Sequence, residues 1–268
     1  MENTSASAHA HADGDDIGAI LADIAEEAAR LILPLWRSGI AVETKADSSP
    51  VTIADQRAER LILDRLAERF PGVPVVSEED ASEFGAPEKI ADRFFLVDPL
   101  DGTKAFVRGD ENFTVNIALI VGGVPVAGAV VAPPTGEAWF TSAGRALKRR
   151  PGVATAPVQV RPWTAEGAVC LISLTMKPEH LEALRARYAF ATTQAMDSSI
   201  KLCRVAEGSA DIDPRHGTTM EWDIAAGHAV LRAAGGFVTD LDGGPFLYGK
   251  AKDGFKNGWF VARGAPAQ

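Results

Sequence analysis

Early in the chain, apolar residues recur at helical spacing: Ile17, Ile20, Leu21, Ile24, Ala28, Leu31, Ile32 and Leu35. With Asp15 or Asp16 as a start signal, this pattern predicts an amphipathic helix to about Trp36, ended near Gly39. A short strand is expected over residues 41–44, then a loop over 45–50. A second helix follows over residues 52–69, where Thr52 and Asp55 have the form of a capping box. Residues 73–76 read as a strand running into Ser77-Glu78-Glu79-Asp80. From residue 94 to 141 the pattern changes to strands, over 94–97, 114–121, 124–131 and 137–141, with Gly122-Gly123 as a hairpin turn. The second half alternates: a strand over 169–173, helices over 178–187 and 198–207, a helix over 222–234, and a strand over 237–240. The helix over 222–234 puts Trp222, Ala225, Ala226, Ala229, Val230 and Ala233 on one face. No internal repeat is present. Strands first and alternation afterwards predict layered α and β rather than a bundle or a sandwich.

The most informative stretch is Asp98-Pro99-Leu100-Asp101-Gly102-Thr103, directly after the apolar run Phe94-Phe95-Leu96-Val97. That run reads as a buried strand, so the acids are expected at a strand end where the chain turns. Pro99 stiffens the turn, and Gly102 lets backbone approach a ligand closely. Hard carboxylate oxygens suit a magnesium-type cation, and amides after a glycine suit a phosphate. Two more acidic clusters lie where elements end or begin, Glu78-Glu79-Asp80 and Asp223 after Trp222. Each alone also reads as solvated loop charge or as an acid favoured by a helix dipole. Together they supply the oxygen ligands that a pair of Mg²⁺ ions needs for phosphate chemistry. No Ser-His-Asp or Cys-His set competes, and none of the five histidines lies in these clusters. Aspartyl-phosphate phosphatases of the haloacid dehalogenase type use Asp-x-Asp-Gly-Thr with a nucleophilic first Asp. The Asp-x-x-Asp spacing here counts against a covalent intermediate.

Composition narrows the classes further. A chain of 268 residues with 46% apolar and 24% charged content is ordinary for a globular protein. No run reaches the roughly 18 apolar residues of a membrane span, so no integral membrane segment is expected. A net charge of −9 argues against a nucleic-acid surface. Residues 1–16 are rich in Ala, Ser, His and Asp and are expected to be a disordered tail, with no signal-peptide pattern; the default compartment is the cytoplasm. Cys170 and Cys203 lack zinc-site partners and are read as buried thiols.

Three segments in this order and spacing resemble the signatures of the inositol monophosphatase superfamily: Glu78-Glu79, Asp98 to Thr103, and Trp222-Asp223-x-Ala225-Ala226-Gly227. The likeness covers nearly all of the chain beyond the tail. Within it, residues 45–52, Ser77 to Asp80, Gly102-Thr103-Lys104, residues 113–120, Asp197 to Lys201 and residues 222–230 resemble the 3'(2'),5'-bisphosphate nucleotidases of the CysQ type.

The resemblance implies an α/β fold layered α-β-α-β-α, as in the sugar phosphatases. Beyond the tail it is expected as one catalytic domain, residues 17–268, of two tightly joined halves meeting near residue 160. It implies metal ligation by Glu78, Asp98, Asp101, Asp223 and the Leu100 carbonyl, with about two or three Mg²⁺ ions per site. It gives Asp55 and Thr103, with Glu78, the role of orienting and deprotonating a metal-activated water for in-line attack. Glu79 is expected to support a ligand rather than bind. Asp101, Gly102, Thr103 and Asp223 would also touch the substrate phosphate. Ser198 and Lys201 match a Ser-x-x-Lys element, and Arg215 an arginine ahead of the Trp-Asp segment. Lys201 and Arg215 suit a second phosphate.

The implied reaction removes the 3'-phosphate of adenosine 3',5'-bisphosphate, and of its sulfated form, in sulfur assimilation and nucleotide recycling, with lithium sensitivity. The alternative is an inositol monophosphatase or a fructose-1,6-bisphosphatase-like sugar phosphatase. A non-catalytic nucleotide sensor would keep the ligands but lose Asp55 or Thr103, and both are present. The partner is a small phosphorylated nucleotide, and a monomer or a homodimer is allowed. One departure stands out: Met176 occupies a place where such nucleotidases often carry a histidine near the base. Asp213, close to Arg215, opposes the grip on a second phosphate.

Overall fold

The computed structural model describes residues 16–39, 42–44, 50–162, 167–174, 176–188 and 190–264. The expected tail, apart from Asp16, and most of the loop over residues 45–50 lie outside the described residues.

Helix α1 (Ile17–Ile32) starts where the Asp16 carboxylate accepts the Ala19 amide, and it buries Leu21, Ile24, Ala28 and Ile32. It stops short of Trp36 and tightens into a 3-10 turn over Leu33–Leu35, because Pro34 has no N–H for the helical ladder. Strands β1 (Val42–Thr44) and β2 (Pro50–Thr52) form a small antiparallel pair. Helix α2 (Ile53–Arg69) opens on the capping box that the sequence predicts. The Thr52 hydroxyl accepts the Ala54 amide at 3.1 Å, and the Thr52 amide donates to Asp55 Oδ2 at 2.8 Å.

A seven-stranded sheet follows in the order β3 (Val75–Ser77), β4 (Arg93–Asp101), β5 (Thr114–Val121), β6 (Val124–Ala132), β7 (Glu137–Ser142), β8 (Arg145–Arg150) and β9 (Val153–Val158). β8 and β9 were not legible as strands, because β8 is mostly Arg and Lys, β9 is largely exposed, and neither shows an apolar alternation. Two short helices, α3 (Glu78–Phe84) and α4 (Thr103–Arg108), follow β3 and β4. A five-stranded sheet takes the second half: β10 (Val169–Ile172), β11 (Thr192–Ala195), β12 (Ile212–Arg215), β13 (Phe237–Asp240) and β14 (Phe260–Arg263). Its order is β11-β10-β12-β14-β13. Helices α5 (Pro178–Arg187), α6 (Ile200–Ala206) and α7 (Glu221–Ala233) accompany it.

Alternation along β4 explains the layering. Phe95 and Val97 pack with Leu21, Ile32 and Ile62 of α1 and α2. Phe94 and Leu96, on the other face, pack with Leu202 of α6 and Trp222 and Val230 of α7. Beyond those helices, Cys170, Ile212 and Val261 of the second sheet cover Leu184 of α5. The result is the α-β-α-β-α stack expected from the sequence. Helix α7 lies tight on β6: a Cβ on Gly128 would sit 2.8 Å from the Ala226 carbonyl oxygen and 2.9 Å from Ala229 Cβ.

One expectation is corrected. Asp98 and Asp101 do not lie in a turn after the strand; β4 continues through both, pairing Asp98 with Asn116 and Asp101 with Thr114. The register shifts between the two acids, where Pro99 cannot donate to a ladder. That irregularity, rather than a turn, sets the aim of the two carboxylates. Both cysteines are buried free thiols, as read from the sequence.

Candidate active site

Three elements converge on the acidic cluster. Glu78 is the first residue of α3, Asp98 and Asp101 end β4, and Asp223 lies in the first turn of α7. Asp223 is fixed there because its Oδ2 accepts the Met220 amide at 2.8 Å. Asp98 is buried and accepts the Leu100 amide at 3.0 Å, a local bond that closes the irregular end of β4. Asp101 takes the Ser199 amide at 2.5 Å and the Thr114 hydroxyl at 3.4 Å.

The electrostatics bind these residues into one set. Burial pushes the Asp98 carboxyl far above the usual range, and the charges of Glu78, Asp101 and Asp223 push it further. Asp223 rises in the same way, first by burial, then through Asp101 and Glu78. Asp101 is pushed up to about 6 by burial, against the Ser199 amide and the Lys201 charge, which pull it down. Buried carboxylates that raise one another call for a cation. Their oxygens are hard donors without sulfur or imidazole among them, which fits magnesium better than zinc. Among the described residues, no group of three or more His, Cys, Asp or Glu side chains is arranged so that it could hold a metal ion. What unites the four acids is a shared field.

Asp55 stands beside this cluster and feels the Glu78 charge, which raises its carboxyl further after burial has done so. Its Oδ2 is taken by the Thr52 amide and hydroxyl, the latter at 2.7 Å. Its Oδ1 accepts the Thr103 hydroxyl at 3.1 Å, and the Leu100 carbonyl is a second acceptor for that hydroxyl at 3.1 Å. Gly102 adopts φ 93° just before α4, and a Cβ there would sit 2.7 Å from the Asn112 carbonyl oxygen. Only glycine fits that corner. The first amides of α4, Thr103 included, have no acceptor within the helix.

The cationic side lies across a small cavity of about 40 Å³, lined by Asp101, Ser198, Lys201, Asp213, Arg215 and Asp223 among others. Lys201 is 5% exposed and donates to the Ser198 carbonyl at 3.3 Å. Arg215 carries a buried Nε with no hydrogen-bond partner among the described residues. Ser198 holds a left-handed φ of 61°, and its hydroxyl accepts the Ile200 amide at 3.3 Å. Met176 lines a second cavity, of about 120 Å³, that shares Asp213 and Arg215 with the first.

Four residues at or beside the cleft escaped the sequence reading. Ser199, not Ser198, is wired to the acids: its amide holds Asp101, and its hydroxyl donates to Asn116 at 2.8 Å. Glu59 is buried beneath α3 and accepts the Glu79 and Asp80 amides at 3.0 and 2.9 Å, so it anchors the turn that carries Glu78. His180 and His216 line the cavity of Met176, where sequence spacing offered no histidine. No local signal marks Ser199 or Glu59.

A sequence profile of the inositol monophosphatase family matches residues 14–260. The chain belongs to that family. Among inositol monophosphatase relatives, the 3'(2'),5'-bisphosphate nucleotidase CysQ of Escherichia coli strain K12 is 43% identical over 207 residues, 77% of this chain and 82% of that protein. The crystal structure of CysQ from Bacteroides thetaiotaomicron aligns with a TM-score of 0.73 at 33% identity, covering 92% of this chain and 96% of that one. A histidinol-phosphatase of Mycobacterium tuberculosis is 34% identical over 229 residues, 83% of this chain and 85% of that protein. The relatives on this scaffold thus carry names for different phosphate esters.

Proposed function

We propose that this chain is a magnesium-dependent 3'(2'),5'-bisphosphate nucleotidase that removes the 3'-phosphate of adenosine 3',5'-bisphosphate, and of its sulfated form. The observation that carries the reading is one cleft lined both by acids of the cluster, Asp101 and Asp223, and by two cationic side chains, Lys201 and Arg215. A monoester of a neutral sugar needs no second cationic grip; a substrate with two anionic groups does. The 43% identity to CysQ from Escherichia coli supports the same reading.

Glu78, Asp98, Asp101, Asp223 and the Leu100 carbonyl would hold roughly two or three magnesium ions. When bound, magnesium supplies Lewis-acid polarisation of the phosphoryl oxygens and positive charge for the departing oxygen. The rest falls to the protein's own side chains. Thr103, donating its proton to Asp55 Oδ1, presents an oxygen lone pair to the attacking water. Asp55, made more basic by burial, is the sink for that proton. The amides of Gly102 and Thr103 face the phosphate, and Lys201 and Arg215 orient the second anionic group. Water attacks in line and no phosphoenzyme forms. The site serves sulfur assimilation and nucleotide recycling, and lithium inhibits by competing for a magnesium position.

A substrate panel tests this. Phosphate release is measured from adenosine 3',5'-bisphosphate, inositol 1-phosphate, fructose 1,6-bisphosphate and histidinol phosphate at equal concentration, with Mg²⁺ and with or without Li⁺. The nucleotide should be hydrolysed at least about tenfold faster than the others. Preference for any other arm overturns the reading.

A further inference from the structure

Strand periodicity places Asp213 and Arg215 on one face of β12, turned towards Lys201 of α6. Asp213 is 1% exposed, and its Oδ2 has no hydrogen-bond partner among the described residues. It lines both cavities, the one of about 40 Å³ at the acidic cluster and the larger one of about 120 Å³. Lys201 and Arg215 act on it through their charge, but neither supplies a bond to Oδ2. A buried acceptor without a donor is costly and rare in a native fold. A carboxylate is also a poor neighbour for phosphate, so a second anionic group does not explain it.

The larger cavity suggests what does. His216 forms part of its wall and stacks on Trp259 at 4.7 Å between ring centroids and 14° between planes. Met176, which cannot donate a hydrogen bond, lies in the same wall. Flat, polarisable surfaces suit a nucleoside, and Asp213 lines both this cavity and the one at the acidic cluster.

Resting on the nucleotidase reading above, we propose that Asp213 determines specificity by accepting a hydrogen bond from a neutral donor on the nucleoside. That donor is the ribose 2'-hydroxyl or the exocyclic base amine. Because the partner is a buried carboxylate, an analogue lacking the donor leaves a charged group unpaired.

The test compares kcat/KM on adenosine 3',5'-bisphosphate, its 2'-deoxy analogue and inosine 3',5'-bisphosphate, for the wild type, Asp213→Ala and Asp213→Asn. The wild type should discriminate against one analogue by about 10- to 100-fold. The analogue that is rejected identifies the donor. Discrimination should collapse to within about threefold in Asp213→Ala and survive in part in Asp213→Asn, whose carbonyl still accepts. If Asp213→Ala does not fold, the isosteric Asn variant and the wild-type ratios decide. The inference is overturned if the wild type treats both analogues like the parent, as expected were water alone the partner of Oδ2. It is equally overturned if discrimination persists in Asp213→Ala. A wild-type enzyme inert on the parent nucleotide instead overturns the nucleotidase reading, and this inference with it.

Discussion

The Thr103 hydroxyl sits 3.1 Å from Asp55 Oδ1, joining the start of α4 to the start of α2 across 48 positions of chain. The same carboxylate caps α2 with its other oxygen, so Asp55 is held rigid by the helix it begins. The substitution Thr103→Val removes the hydroxyl and keeps the shape. Turnover should fall about 100-fold or more while KM and melting temperature change little. Steady-state kinetics with a thermal melt decide this; an ordinary kcat in the Thr103→Val enzyme would exclude Thr103 from the chemistry.

Asp101 is the acid most tightly positioned, by the Ser199 amide. Asp101→Asn should leave the fold intact but cut kcat by about 100-fold or more and weaken the response to Mg²⁺. A magnesium titration of rate, alongside circular dichroism, measures both. Near-normal activity would falsify the ligand assignment.

Arg215 should decide between one anionic group and two. Reversing its charge with Arg215→Glu should lower kcat/KM for the bisphosphate nucleotide by about 30-fold or more. Any turnover of inositol 1-phosphate should fall much less, so the ratio of the two substrates is the readout. An unchanged ratio would remove Arg215 from the substrate side.

Glu59 gives a pH dependence with a definite sign. Burial lifts its carboxyl from 4.5 to about 7, partly offset by the Glu79 amide. Between those values the folded protein keeps a proton that the unfolded chain releases, so this group's contribution to stability is lost as pH rises. The loss amounts to at most about 3 kcal/mol. In EDTA, melting temperatures taken from pH 5 to pH 8 should decline for the wild type and decline less for Glu59→Gln. Parallel profiles for the two proteins would show that Glu59 does not titrate in this window.

Much of the site was legible because its donors come in short runs. Glu78-Glu79, the stretch from Asp98 to Thr103 and Trp222-Asp223 each hold their residues within one turn or one strand end. The capping pair Thr52 and Asp55 was legible for the same reason: the bonded atoms are three residues apart. The extension of β4 through Asp101 was not, because it depends on pairing with Asn116 and Thr114 of β5. β8 and β9 stayed hidden for different reasons: β8 is paired on both sides but is largely Arg and Lys, and β9 is an exposed edge strand with no apolar alternation.

The sequence by itself determined which side chains the chemistry can draw on: clustered carboxylates, a hydroxyl–carboxylate pair and two cationic side chains, on elements set by local periodicity and caps. Tertiary structure decided which of these meet. Ser199 reaches Asp101 across 98 positions, and Glu59 braces α3 across 20. Asp213 reads as one more acid beside an arginine until β12 is buried between its neighbours and one carboxylate oxygen is left without a donor. Periodicity reports only on residues a few positions apart. Burial and the pairing of buried polar atoms are properties of whole packed layers, and they appear only once the chain has closed on itself.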